Sequence, residues 1–132
     1  MQQTLCALLI AATTLAVQSS NPSEWVGVWQ GELDGQPSVV LTLAQDNGVL
    51  EGTLVLNIIS RDGGQPHIIA HEPHVLMQPH IDGARLTFRL KRIDNSTTPM
   101  EFNVELTSHD RAKIHCLNCG EEALSVEMAK QD

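Results

Sequence analysis

The chain has 132 residues, the size of one domain, and 42% of them are apolar. Sixteen acidic residues against eight basic ones give a formal net charge of −8, and the basic residues form no stripe. Phosphate backbones and anionic bilayers repel such a chain, so we expect no nucleic-acid partner and no membrane surface as a partner.

The first residues of the chain are typical of an export signal. Leu5–Val17 is apolar apart from two threonines, and the first charged side chain is Glu24. This run is shorter than the roughly 20 residues that a transmembrane helix needs, but it suits the apolar centre of a signal peptide. We therefore predict a helical signal peptide over residues 1–19, cleaved after Ala16 or Ser19, although no Lys or Arg precedes it. The alternative is a retained N-terminal anchor.

Export also explains the odd number of cysteines. Cys6 lies inside the predicted signal peptide, so a secreted or periplasmic protein, with no membrane insertion after cleavage, keeps only Cys116 and Cys119. Positions i and i+3 of a turn lie within about 7 Å, which suits a disulfide, and an oxidising compartment favours its formation. We predict a Cys116–Cys119 disulfide. A thioredoxin-like motif would instead need a strand-to-helix junction, and zinc a second ligand pair.

From residue 20 onward the dominant hydrophobic period is two, as in half-buried β-strands. A first strand around Trp25 to Leu33 is followed by alternating segments over 37–44, 50–58, 85–91, 101–107 and 123–129. Asx-Gly turns separate several segments: Asp34-Gly35, Asn47-Gly48, Asp62-Gly63 and Asp82-Gly83. The apolar face predicts a barrel core of Trp29, Leu41, Leu43, Leu54, Leu56, Phe88, Leu90, Phe102, Val104 and Leu106.

These segments predict an all-β fold over residues 20–132. With no crossover helices, they favour an antiparallel meander that closes as a small up-and-down barrel of about eight strands. The alternative is a β-sandwich.

The first strand also carries a family resemblance. Gly27-Val28-Trp29 resembles the Gly-x-Trp pattern that opens the barrel of lipocalins and their calycin relatives. Trp29–Leu33 and Gly48–Leu54 extend it, so that residues 25–56 look like the small calycin-like domains of secreted bacterial proteins. The resemblance implies a barrel with Trp29 packed across its closed end. The chain has no Tyr, so the Thr-Asp-Tyr motif of true lipocalins is absent.

A histidine-rich segment, HEPHVLMQPH at residues 71–80, raises the question of a metal site. By strand parity His67 and His71 share one face, and His74 and His80 share the other. Prolines 66, 73 and 79 remove ladder donors, which indicates an edge strand or an irregular crossing. We expect solvated histidines, no bound metal and no cofactor. The alternative is a soft-metal site with these candidate ligands: His67, His71, His74, Met77 and His80.

No pattern in the sequence indicates catalysis. There is no nucleophile elbow and no phosphate-binding glycine loop before a helix. Glu101 and Glu105 are predicted to face Arg85, Arg89 and Lys91 across a hairpin, as exposed pairs worth under about 1 kcal/mol. Asn95-Ser96-Thr97 is a glycosylation sequon in a predicted loop.

We therefore predict a monomeric, non-enzymatic binding domain whose partner is a small apolar ligand or a protein. One alternative is a metal-binding or redox accessory protein that uses the histidine-rich segment and the cysteine pair. A second alternative is a structural or inhibitor-like module without a pocket. Pocket volume separates the first and last of these functions, because side chains alone can fill a small eight-stranded barrel.

Overall fold

The computed structural model describes residues 22–94, 96–120, 123 and 125–132. The predicted signal peptide, with its cleavage sites and Cys6, lies outside these residues, and so does Asn95 of the sequon. The described chain begins with one short helix, α1 (Pro22–Trp25), and is otherwise built from strands, turns and loops.

Nine antiparallel strands of the described chain make up a single sheet. They are β1 (Gly27–Leu33), β2 (Gln36–Asp46), β3 (Val49–Ser60), β4 (His67–Val75), β5 (Met77–Asp82), β6 (Arg85–Leu90), β7 (Met100–Ser108), β8 (Arg111–Cys116) and β9 (Val126–Lys130). Their order across the sheet is β4-β3-β2-β1-β9-β8-β7-β6-β5, so every pair except β1–β9 joins strands that are consecutive in sequence.

The sheet curls into a half-barrel, which confirms the predicted all-β antiparallel fold. It is one curled sheet and not the two stacked sheets of the alternative sandwich. The nine strands agree with the predicted number of about eight, and the histidine-rich segment contributes to two of them, β4 and β5, on either side of Leu76.

Two tight hairpins show how the turn residues set the register. Asp34 and Gly35 have φ values of 54° and 74°, and Asn47 and Gly48 have φ values of 51° and 79°. Two successive positive φ angles are the geometry of a type I′ turn, whose twist matches that of the flanking strands. The Asx-Gly turns at these two positions therefore form as predicted.

The concave face of the sheet carries the core. Eight of the ten predicted core residues are buried, and the other two, Leu56 and Leu106, are partly buried against them. The eight are Trp29, Leu41, Leu43, Leu54, Phe88, Leu90, Phe102 and Val104. Burying a side chain of this size contributes about 1.5–3 kcal/mol, so this face supplies most of the drive to fold.

The helix α1 packs at one end of the half-barrel. Trp25 and Trp29 are fully buried, with ring centroids 6.0 Å apart, and Trp29 Nε1 donates a hydrogen bond to the Trp25 carbonyl oxygen at 2.9 Å. Leu43 pairs with Gly27 on one side and Gly52 on the other, which places them at the same level. We call this region the closed end; it comprises Trp25, Trp29, Leu43, Gly52 and Leu76.

Candidate functional site

The chain crosses from one edge of the sheet to the other between β4 and β5. β4 pairs with β3, whereas β5, which follows after a single residue, pairs with β6. That single residue is Leu76, which is 7% exposed and whose N–H donates to the Gly52 carbonyl oxygen at 3.0 Å. Gln78, two residues on, has a positive φ of 51°. The chain is therefore fixed at Leu76 and bends immediately after it.

Beside this crossing a cleft of ≈ 560 Å³ opens between the end of β4 and the loop after β6. Its lining is mainly apolar and comes from the crossing segment and from three residues after β6: Pro73, His74, Val75, Met77, Lys91, Arg92 and Ile93. Pockets that hold small ligands measure about 300–1,000 Å³. We call this the β4 cleft, and its volume suits a small molecule.

A smaller cavity of ≈ 240 Å³ adjoins the β4 cleft and shares His74, Arg92 and Ile93 with it. Cross-strand neighbours share a face of a sheet. His74 lies opposite the buried Leu54, and Glu72 lies opposite Leu56, so both polar residues belong to the concave face. The Nε2 atom of His74 is buried and has no hydrogen-bond partner.

The rim of the β4 cleft carries two adjacent cations, Lys91 and Arg92, and no carboxylate among its lining residues. Arg92 is held in place by two backbone carbonyl groups. Its Nε donates to the Thr98 oxygen at 2.9 Å and its Nη2 to the Asn118 oxygen at 2.9 Å. These bonds connect the wall of the cleft to the turn that contains the cysteine pair.

The predicted grouping of the histidines by face is wrong. A register shift near Ile58 and Ile59 places His71 opposite Asn57 but His67 opposite Ser60, three positions along β3. Because side chains of a strand alternate, His67 and His71 fall on opposite faces. The bulged residue adds one position to β4, which parity counting along the sequence does not include.

A second register shift separates the other predicted pair. It lies between Met77 and His80, which are opposite Arg89 and Thr87 on the convex face of β6. His80 is therefore on the convex face, whereas His74 is on the concave one. The bend at Gln78 is the physical cause, since a positive φ turns the chain out of the regular pleat.

His71 and His67 each have a hydrogen-bond partner. His71 Nδ1 lies 2.6 Å from Asn57 Oδ1, and the Asn57 amide donates to the Pro37 carbonyl oxygen at 2.8 Å. That leaves Asn57 Oδ1 as the acceptor, so His71 Nδ1 carries the proton. His67 Nδ1 donates to the Gln65 carbonyl oxygen at 2.9 Å. Among the described residues, no three His, Cys, Asp or Glu side chains converge as a metal site would require.

Cys116 and Cys119 lie at disulfide distance, with their Cα atoms 5.7 Å apart. Cys116 ends β8 and is 8% exposed, whereas Cys119 is exposed in the turn that follows. The turn lies between strands β8 and β9 with no helix beside it in the described chain. It is therefore not the strand-to-helix junction that a thioredoxin-like motif uses.

The predicted charge pairs form on the convex face of β6 and β7, away from the β4 cleft. Arg85 contacts Glu105 at 2.8 Å and Arg89 contacts Glu101 at 3.1 Å. The hydrogen bond from Arg85 is the largest of the effects that lower the pKa of the Glu105 carboxyl, and one from Asn103 adds to it. Both pairs are well exposed to solvent, so they influence surface charge more than stability.

Sequence reasoning identified His74 and Met77 of this site but missed Glu72, Lys91, Arg92 and Ile93. Lys91 was predicted to be the outward-facing last residue of a strand, paired with Glu101 or Glu105. Arg92 and Ile93 follow that strand at the start of a predicted loop, where no period assigns a direction to side chains. One signal was available. Lys91-Arg92 is an adjacent pair of cations in a chain with only eight basic residues, which is unusual enough to mark a position for attention.

Comparisons with protein-family models, with curated proteins and with solved structures found no match to this chain. The resemblance to calycin-like domains therefore remains a prediction that rests on residues 25–56. No helix among the described residues is long and apolar enough to cross a membrane.

Proposed function

We propose that this protein is an exported, non-enzymatic binding domain that holds a small, mainly apolar molecule with an anionic group in the β4 cleft. It works as a monomer in the periplasm or outside the cell, and the curled sheet closes as a calycin-like barrel around the core. The observation that carries the proposal is the β4 cleft itself, with its apolar lining and its two rim cations.

Exposed apolar side chains in the β4 cleft support a ligand with an apolar part. Val75 and Ile93 are 72% and 71% exposed, and Met77 is 40% exposed, and all three line the β4 cleft. Covering such side chains gains about 25 cal/mol for each Å² removed from water. A ligand with an aromatic or aliphatic body would gain this energy by covering the apolar side chains on both walls of the cleft.

The two cations at the rim of the β4 cleft support a ligand with an anionic group. The protein as a whole carries a net charge of −8, which would repel an anion at long range. Salt screens exposed charges beyond about 8 Å at physiological ionic strength, so nearby groups dominate: Lys91 and Arg92 line the cleft itself, and Glu72 and Asp94 line only the adjoining cavity. There, Lys91 and the remaining N–H donors of Arg92 line the cleft and can meet a carboxylate or sulfonate.

The proposal is tested with 1-anilinonaphthalene-8-sulfonate, an aromatic anion whose fluorescence rises in apolar sites. We expect saturable binding of one equivalent to the folded protein. Ile93→Asp places a carboxylate in the cleft wall and should weaken binding by at least about tenfold, because the ligand would bury an unpaired like charge.

Ile69→Asp is the matched control. Ile69 is 60% exposed on β4 but does not line the β4 cleft. Ile69→Asp therefore makes the same change in charge and hydrophobicity as Ile93→Asp, but outside the cleft. It should bind the dye as the wild type does. Equal binding by the wild type and Ile93→Asp, or equal losses in both variants, would show that the dye reads general surface hydrophobicity and that the β4 cleft is not the site.

A further inference from the structure

Asn118 lies inside the four-residue loop that the Cys116–Cys119 pair closes, and it makes an unusual number of contacts. Its side-chain Nδ2 donates to the Pro99 carbonyl oxygen at 2.9 Å, and its Oδ1 accepts the Glu101 N–H at 2.8 Å. Its backbone carbonyl oxygen accepts Arg92 Nη2 at 2.9 Å. One residue of the cysteine loop thus holds both ends of the connection between β6 and β7.

Arg92 connects Asn118 to the β4 cleft. It lines both the β4 cleft and the adjoining cavity, and its guanidinium bridges Asn118 and Thr98. The segment Lys91–Ile93 belongs to no strand, so it lacks the backbone ladder that fixes the opposite wall on β4. Among the described contacts, the bridge through Arg92 is what ties this wall to the sheet.

We infer that the redox state of the Cys116–Cys119 pair controls the affinity of the β4 cleft. The inference rests on the proposed function, because it concerns the same cleft. The closed loop restricts the turn to conformations that present the Asn118 carbonyl and amide groups in place. When the bond opens, the turn gains freedom, Arg92 loses a fixed acceptor, and the cation at the rim is no longer held where a ligand anion meets it.

The chemistry requires a dithiol reductant. Its thiolate attacks the exposed Cys119 sulfur, the S–S bond breaks, and the bonding electron pair leaves on the buried Cys116 sulfur, which then takes a proton. The second thiol of the reductant attacks the mixed disulfide and releases Cys119 as a thiol. The protein gains two electrons and two protons, and the reductant becomes a disulfide. The Cys116 sulfur is already 3.8 Å from Asn118 Oδ1, so the new thiol can compete for that acceptor.

Two measurements test the inference on the same folded protein, oxidised and then reduced until two thiols titrate. The first is the dissociation constant for 1-anilinonaphthalene-8-sulfonate, which should rise about tenfold on reduction, as expected for the loss of one hydrogen bond from a charged donor. The second is the hydrogen-exchange rate of the Glu101 amide, which should rise on reduction while the Val104 amide in the middle of β7 stays protected.

Two variants sharpen these measurements. Cys116→Ser with Cys119→Ser should still fold, should bind the dye as weakly as the reduced wild type, and should not respond to the reductant. Asn118→Ala keeps the Cys116–Cys119 disulfide but removes the side-chain hydrogen bonds of Asn118 to Pro99 and Glu101. In this variant the Glu101 amide should exchange fast in either redox state.

The outcomes separate the two proposals. If the oxidised protein binds no dye in the β4 cleft but the Glu101 amide responds to reduction, the ligand proposal fails and the coupling between the cysteine loop and the β6–β7 connection stands. If the oxidised protein binds the dye and the dissociation constant stays the same after both thiols titrate, the inference is overturned.

Discussion

The closed end and the β4 cleft adjoin the same strands but are filled differently. At the closed end Trp25 and Trp29 have no exposed surface, Leu43 is 2% exposed, and the chain crosses tightly at Leu76. At the cleft Val75 and Ile93 are more than two-thirds exposed. Tight packing is therefore concentrated at the closed end, whereas the β4 cleft leaves large apolar side chains open to solvent.

The largest effect should come from removing an indole at the closed end. Trp29→Ala deletes a fully buried ring that packs on Trp25 and lies opposite Leu41, so we expect a loss of about 3–5 kcal/mol in the free energy of unfolding. Urea denaturation followed by circular dichroism measures it. A loss under about 1 kcal/mol would mean that the ring does not support the core, and the contrast between the two regions would disappear.

A glycine at the closed end gives the next largest effect. A Cβ added at Gly52 would collide with the backbone oxygen of Thr42 on β2, and only movement of a strand could relieve the collision. The Gly52 carbonyl also holds the crossing through Leu76. Gly52→Ala should therefore cost about 1–3 kcal/mol, as overpacking does.

Thr53→Ala is the control for this change. Thr53 is the next residue of β3, exposed on the other face, and its loss should change the unfolding free energy by about 0.5 kcal/mol or less. Equal effects of the two substitutions in the same denaturation experiment would show that β2 and β3 are not in close contact at Gly52.

The regions also differ in how far the sequence predicts them. In β6 and β7 the alternation is uninterrupted, so Phe88 and Phe102 could be assigned to one face, and their rings do stack at 5.3 Å. The cross-strand charge pairs of the same hairpin follow from the same alternation. The cysteine pair was predictable because its geometry depends only on a separation of three residues.

The β4 cleft was not predictable, for two physical reasons. Each register shift along β4 and β5 moves later side chains to the other face, and hydrophobic alternation gives no sign of where it occurs. The opposite wall consists of Lys91–Ile93, whose position depends on the bonds of Arg92 to Thr98 and Asn118, six and 26 residues away in sequence. Contacts of that range have no local signal.

A smaller effect, of opposite sign, is expected at the β4 cleft. His74→Leu replaces a partly buried imidazole, whose Nε2 has no partner, by an apolar group facing Leu54, so the unfolding free energy should increase by about 1 kcal/mol. His71→Leu is the matched control, because it removes a hydrogen bond to Asn57 on the convex face and should be neutral or destabilising. Thermal and urea denaturation of both variants decide the comparison. A loss of stability in His74→Leu would mean that the imidazole is structural, and that the cleft is part of the core.

The smallest effect concerns the Arg85–Glu105 pair on the convex face, which lines neither the closed end nor the β4 cleft. Arg85 lowers the pKa of the Glu105 carboxyl below the ordinary value of 4.5, mainly through its hydrogen bond. A carboxyl whose pKa is lower in the folded state than in the unfolded state stabilises the fold above its unfolded pKa, and this contribution is lost as pH falls through the folded pKa.

Arg85→Gln should therefore raise the Glu105 pKa toward its ordinary value and flatten the pH dependence of stability in the acidic range. Stability at pH 7 should stay nearly unchanged, because the pair is exposed. Carboxyl carbon chemical shifts measured against pH report the pKa directly. Arg111→Gln removes the same charge from a residue that lies opposite Ser108 and not Glu105, and it should leave the titration as it is. If both variants shift the Glu105 pKa equally, the cause is net charge and not the Arg85 contact.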